Sequence, residues 1–168
     1  MDFVAQQDDL PKKDFCLDLA RLEFALTNVF DAPETAALTE QQVRAVPQEA
    51  WETARLKPVA AFALESFDYP VSLYLGAVDK ENPFPRMARK KTYVVCYRKD
   101  YHVYRLNLEE PAYELLSALA SGETVGEAIM AVMMKKRRPA VKQAKLFEWF
   151  SDWMAERLFQ AVELPATP

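Results

Sequence analysis

Histidine, cysteine and glycine are the scarce residues of this sequence: one His, two Cys and three Gly in 168 positions. His102, Cys16 and Cys96 fall short of the ligand set that a zinc or iron site usually draws on. Any Ser-His-Asp or Cys-His machinery would have to use His102. The glycines, at 76, 122 and 126, form neither a G-x-G-x-x-G fingerprint nor a phosphate-binding loop. No apolar run approaches the roughly 18 residues of a membrane-spanning helix, so no membrane partner is expected. The opening MDFVAQQDDLPKK has no apolar h-region and does not read as a signal peptide. Two distant cysteines do not make a disulfide framework, and the expected compartment is the cytoplasm, with reduced thiols. Positive charge is not in surplus either. The chain carries 21 Lys plus Arg against 25 Asp plus Glu, a net charge of −4, which argues against broad nucleic-acid binding.

What is present is apolar. With 51% hydrophobic and 12% aromatic residues the chain can bury a core, whereas disorder needs the opposite composition. Its length suits one domain or two small joined ones. A core without a ligand set points to a binding or accessory protein rather than a self-sufficient enzyme.

Residues 1–12 are polar, end in proline and lysine, and read as a flexible arm. Phe15, Leu19, Leu22, Leu26 and Val29 recur at helical spacing and predict a helix over about 14–30, closed by Asp31-Ala32-Pro33. Thr39 and Gln42 form a capping-box pattern for a short helix. The run 57–64 reads as a strand or buried extended segment, with Pro58 arguing against a central strand. Pro70 suits the start of a helix to about Ala77. Residues 13–78 thus form a helical half, and 79–89, rich in charge and proline, read as a linker.

Beyond the linker, 92–98 and 101–106 are dense in β-branched and aromatic residues. With Lys99-Asp100 as the loop they predict a hairpin in which Cys96 faces Val103 and Val95 faces Tyr104. A helix then starts at Asn107 or Glu109, carries Tyr113, Leu116 and Leu119 inward, and ends at Gly122. Thr124 starts another, with Val125, Ala128, Ile129 and Val132 inward and the cations of 135–138 at its C-terminus. A long last helix over about 140–160 would carry Phe147, Phe150, Met154 and Leu158 on one face. The expected fold is α+β and mainly helical: a helical half followed by a winged-helix-like module, a hairpin and three helices, over 90–164.

Three stretches carry a resemblance. Asp18–Leu26 (DLARLEFAL) followed by Phe67–Leu75 (FDYPVSLYL) resembles a family labelled as a DNA-binding domain, whose members are partner proteins of multinuclear non-haem iron-dependent oxidases. Leu106–Ile129 (LNLEEPAYELLSALASGETVGEAI) is similar to the C-terminal part of that family and to the PqqD-like peptide-recognition element. The resemblance covers roughly 14–134, and family members are longer. It implies a non-catalytic partner that binds a ribosomally made precursor peptide. That partner presents a peptide residue, Cys being the expected one, to an iron-dependent TIM-barrel oxidase, as in pathways to copper-binding peptides or 3-thiaglutamate. No cofactor is expected in this chain, and iron is expected in the partner enzyme.

Such an element binds a peptide by adding it as a strand to an exposed sheet edge. The candidate edge is Tyr101, His102, Val103, Tyr104, Arg105 and Leu106, with Lys142, Phe147 and Phe150 of the last helix as the groove wall. The alternative for each aromatic is simple core packing. Trp149 and Trp153, four apart, put apolar surface on a second face of that helix, which suits either a partner interface or burial on all sides. Tyr69, Pro70 and Tyr74 are carried as a possible enzyme-facing surface. His102 has no Ser or Cys partner nearby in sequence and reads as a structural or surface residue. Cys96 reads as a buried small hydrophobe. A thiolate at Cys16 would gain from a helix start, with no further support. The basic clusters 86–91 and 135–138 suit pairing with an acidic leader peptide or helix-end solvation; they also keep open a second reading, a winged-helix DNA-binding regulator, and His102 a third, an enzyme.

Overall fold

In the computed structural model, residues 12–83, 85, 88–135 and 140–165 are described. In chain order they form α1 (Lys13–Asp31), α2 (Glu40–Arg44), a 3-10 turn (Gln48–Ala50), β1 (Arg55–Pro58), β2 (Phe62–Phe67) and α3 (Val71–Asp79). There follow β3 (Thr92–Lys99), β4 (His102–Leu108), α4 (Glu110–Ala120), α5 (Val125–Met133), α6 (Gln143–Ala155) and β5 (Phe159–Glu163). The architecture is mixed α and β. It divides into two compact units, 1–32 with 63–109 and 33–62 with 110–168. The polar segment 79–89 is therefore not a boundary. It lies inside the first unit, where Arg89 and Lys91 are both ion-paired to Asp68 and the Lys90 N–H bonds the Asp68 carbonyl. The expected hairpin and the helices after it fall in different units.

The first unit is a three-stranded sheet, ordered β2-β3-β4, with α1 packed on β3 and β4 and α3 packed against α1. The buried stripe of α1 is Phe15, Asp18, Leu22, Ala25 and Val29, a three-four spacing that keeps one helix face inward. Each fully buried Leu or Val of this stripe contributes about 1.5–3 kcal/mol of apolar burial. Asp18 is the polar member. Its carboxylate accepts the N–H groups of Asp68 (2.7 Å) and Tyr69 (3.1 Å) and pairs with Arg21. Arg21 also reaches Glu65 at 2.7 Å and lies over the Phe67 ring. At the other end of α1, Arg98 donates to the carbonyls of Val29, Phe30 and Ala32, which the helix leaves without partners.

The hairpin turn sits one residue later than the sequence suggests. Lys99 pairs with His102, and Asp100 and Tyr101 are the loop residues, at φ 49° and 65°. A two-residue loop of type I′ has positive φ at both positions, and here Asp and Tyr adopt it without glycine. The register moves accordingly: Cys96 faces Arg105 and Val95 faces Leu106, rather than Val103 and Tyr104. The shift is two residues, so each side chain keeps its face. Tyr101 is a turn residue, not part of the strand.

The second unit pairs β1 with β5 and packs α4 against α5 and β1. Pro58 stands at the irregular end of that ladder, opposite Phe159, where the missing N–H costs no regular bond. Thr124 caps α5 in a full capping box with Glu127. Gly126 is required by close approach, since a Cβ there would stand 2.8 Å from the Glu52 carbonyl oxygen. Helix α6 stops at Ala155, short of the expected 160, and β5 follows. Its end is a Schellman motif: Leu158 N–H bonds the Trp153 carbonyl and Arg157 N–H that of Met154, with Arg157 at φ 58°. Its buried side chains are Leu146, Trp149 and Trp153. Of the face expected to carry Phe147, Phe150, Met154 and Leu158, the first three are half-buried or exposed, and Leu158 is buried beyond the end of the helix.

Candidate functional site

β4 is the last strand of its sheet, so one of its edges has no neighbouring strand among the described residues. Its side chains alternate. Val103 and Arg105 share a face with Cys96 and Arg98, and Arg98 reaches the end of α1, so this is the face toward α1. His102, Tyr104 and Leu106 take the other face. Tyr104 stacks on its cross-strand partner Tyr97 at 5.6 Å and stays partly exposed. Tyr101 is 83% exposed at the turn. The Nδ1 of His102 lies 2.8 Å from the Asp100 carbonyl, which can only accept, so the contact holds the turn.

Along this edge runs an open groove of about 550 Å³. One side is β4, through Val103, Tyr104 and Arg105, and the other is α1, through Leu26, Thr27 and Phe30, with Asp79 of α3 at one end. The wall is thus α1, not the last helix. Lys142, Phe147 and Phe150 belong to the second unit. The signal for the α1 wall lay in Phe30, apolar yet outside the helical set read from the sequence; Leu26 belongs to that set but stands aside from the stripe that buries Leu22, Ala25 and Val29. Asp79 read only as the first residue of a linker.

In the second unit, Phe147 is 67% exposed, and Phe150 meets Trp153 edge-on at 5.5 Å. With Val43, Trp51, Val125, Ile129 and Met154 they line an apolar cleft of about 460 Å³. Lys142 is the exposed N-cap residue of α6. Trp149 and Trp153 do not form a surface: they are 6% and 1% exposed. Of the two roles open to this second apolar face, burial is the one the packing takes. Pro70 is buried at the start of α3, and Tyr69 and Tyr74 both pack edge-on against Phe15 (5.9 and 5.1 Å), so these three serve the core of the first unit.

Burial pushes the Cys96 thiol up to about 12, so it stays protonated and inert near neutral pH. Among the described residues no group of three or more His, Cys, Asp or Glu is placed to hold a metal ion, and no helix is long and apolar enough to cross a membrane. Of the basic clusters, Lys135 pairs with Glu114 and Arg89 and Lys91 with Asp68; residues 86, 87 and 136–138 lie outside the described residues, as does most of the expected arm 1–12. Comparison with protein-family models finds no match, and comparison with curated proteins finds none.

Proposed function

We propose that this protein is a non-catalytic, cytoplasmic partner that holds a precursor peptide as an added strand along β4. It would present that peptide to an iron-dependent TIM-barrel oxidase that modifies a residue, Cys being the expected one. The observation that carries the peptide-binding part is the edge of β4, which has no neighbouring strand among the described residues, beside a groove of mixed polar and apolar lining with a helix as its far wall. A strand edge offers a row of main-chain donors and acceptors, and the groove beside it offers pockets for alternate side chains. The oxidase rests on the resemblance of 18–26, 67–75 and 106–129, and the iron would be the partner's. The finer fold reading, a winged-helix-like module of β3, β4 and α4–α6, rests on the order of those elements along the chain. Tethering the peptide raises its local concentration at the enzyme without any chemistry by this chain.

The test is reconstitution. A precursor peptide and a barrel oxidase encoded beside this chain are combined with and without it, and the peptide's mass is followed. Modification should slow strongly without the chain. Full-rate modification in its absence would sink the proposal. Titration of labelled duplex at two salt concentrations tests the regulator reading, which requires tight binding that weakens steeply with salt.

A further inference from the structure

The groove beside β4 holds one ion pair among apolar side chains, and its two members are not equivalent. Arg105 donates to Asp79 across 2.7 Å. The Arg105 side chain is 19% exposed and that of Asp79 is 54% exposed. Arg105 lies along α3, its guanidinium 4.0 Å from the place a Cβ on Gly76 would occupy. Asp79 is the last residue of α3, where the partial negative charge of the helix end disfavours a carboxylate. The arginine is therefore fixed and largely desolvated, whereas its carboxylate is wet and badly placed. An exposed carboxylate adds little in such a pair. A carboxylate arriving along the groove can replace it and meet the guanidinium fork directly.

The register says what else such a ligand carries. A strand added to the edge of β4 alternates its side chains as β4 does, so every second residue enters the groove. Val103 and Arg105 are two apart on the groove face. One ligand residue therefore meets Arg105, and the next on that face meets Val103 beside Leu26 and Phe30. Building on the peptide-binding reading above, we propose that the groove selects an extended peptide with an acidic side chain two positions from a large apolar one, the ligand carboxylate displacing Asp79 from Arg105. Asp79 thus acts as a built-in competitor that keeps Arg105 paired when the groove is empty.

The experiment uses the full chain and three fluorescein-labelled synthetic peptides. The first places Glu and Phe two apart in a Thr/Ser background, the second replaces Glu by Gln, and the third is the Gln peptide with N-methylated main-chain amides. Anisotropy is read for wild type, Asp79→Asn and Arg105→Gln, with circular dichroism as the folding control. The Glu peptide should bind wild type about tenfold more tightly than the Gln peptide, the size expected for one hydrogen bond to a charged group. The ratio should widen in Asp79→Asn and vanish in Arg105→Gln. Equal affinities for the Glu and Gln peptides in all three proteins would overturn the acidic preference and leave strand addition standing. So would a preference that survives in Arg105→Gln. If the N-methylated peptide binds as well as its parent, or none of the peptides binds, strand addition itself fails.

Discussion

The groove of the first unit and the cleft of the second are close in size, about 550 and 460 Å³, but they are built on opposite principles. The first is bordered by a strand edge and an ion pair, so its contacts are directional: hydrogen bonds along the main chain and one charge at a set position. The second is lined by Phe147, Phe150, Ile129, Trp51 and Met154, with Ser151 its polar member, and offers no strand edge. Its contribution is apolar area, which is non-directional. The interiors differ in the same way. The first unit buries a carboxylate, Asp18, and satisfies it with main-chain donors; the second buries the indoles of Trp149 and Trp153 on one helix. A surface built from strand edges can read sequence, and one built from aromatic rings reads bulk.

The sharpest way to test that contrast lies within α6. Trp153→Ala should destabilise the protein by about 3–5 kcal/mol, because a fully buried indole leaves a cavity. Phe147→Ala, on the adjoining exposed face, should change stability by no more than about 0.5 kcal/mol. Urea denaturation of the two variants decides. Comparable losses would mean that the Phe147 cleft is closed core rather than surface. Next in size is Asp18→Ala, expected to cost about 2–3 kcal/mol. It strands two main-chain N–H groups and removes a partner of Arg21. If Asp18→Ala is neutral in the same titration, the polar interior of the first unit is decoration and the contrast between the units fails.

The ends of three helices show what the sequence could disclose. α3, α4 and α6 close with the same pair of bonds, in which the residue after the cap takes positive φ: Glu81 (54°), Gly122 (91°) and Arg157 (58°). Only the glycine advertises its turn, because only glycine adopts that conformation without steric cost. The end at Gly122 was therefore legible, while α6 read five residues too long and ran into the start of β5. The hairpin turn slipped for the same reason, with Asp100 and Tyr101 in place of glycine. The helix face was illegible on other grounds. From 146 to 154, apolar residues occupy two stripes, 146/149/153 and 147/150/154, and periodicity cannot choose between them; packing does. The edge residues of β4 were legible because period-two alternation allows only one partition. Their groove wall was not, because Leu26 and Phe30 of α1 come from some eighty residues earlier in the chain.

Capping offers a smaller handle on the second unit. Thr124→Ala removes the acceptor for the Glu127 N–H and should cost about 1 kcal/mol. Thr124→Ser keeps that acceptor and should recover most of the loss in the same thermal melt. Equal losses from both substitutions would assign the effect to the lost methyl group rather than to the cap.

The smallest effect is the acid dependence of stability, and it has one source in each unit. In the first, hydrogen bonds from Arg89 and then Lys91 hold Asp68 below the ordinary carboxylate range. In the second, the main-chain N–H and then the hydroxyl of Thr124 do the same for Glu127. A carboxyl group whose folded pKa is depressed favours folding when ionised. Its contribution is complete above the unfolded value, near about 4, and is lost as pH falls through the lower folded value. Stability from these groups is therefore flat from neutral pH down to about pH 5 and declines below about pH 4. Both groups are solvent-exposed, so screening keeps each effect small. Asp68→Asn and Glu127→Gln cannot ionise, so each should lose less stability than wild type between neutral pH and about pH 3 in urea titrations. Raising the salt should shrink the Asp68 difference more than the Glu127 difference. Asp68 relies on two mobile cations, whereas Glu127 relies on a fixed main-chain donor that ions do not screen as well. An equal response to salt would mean that the helix cap is no more rigid than a surface ion pair.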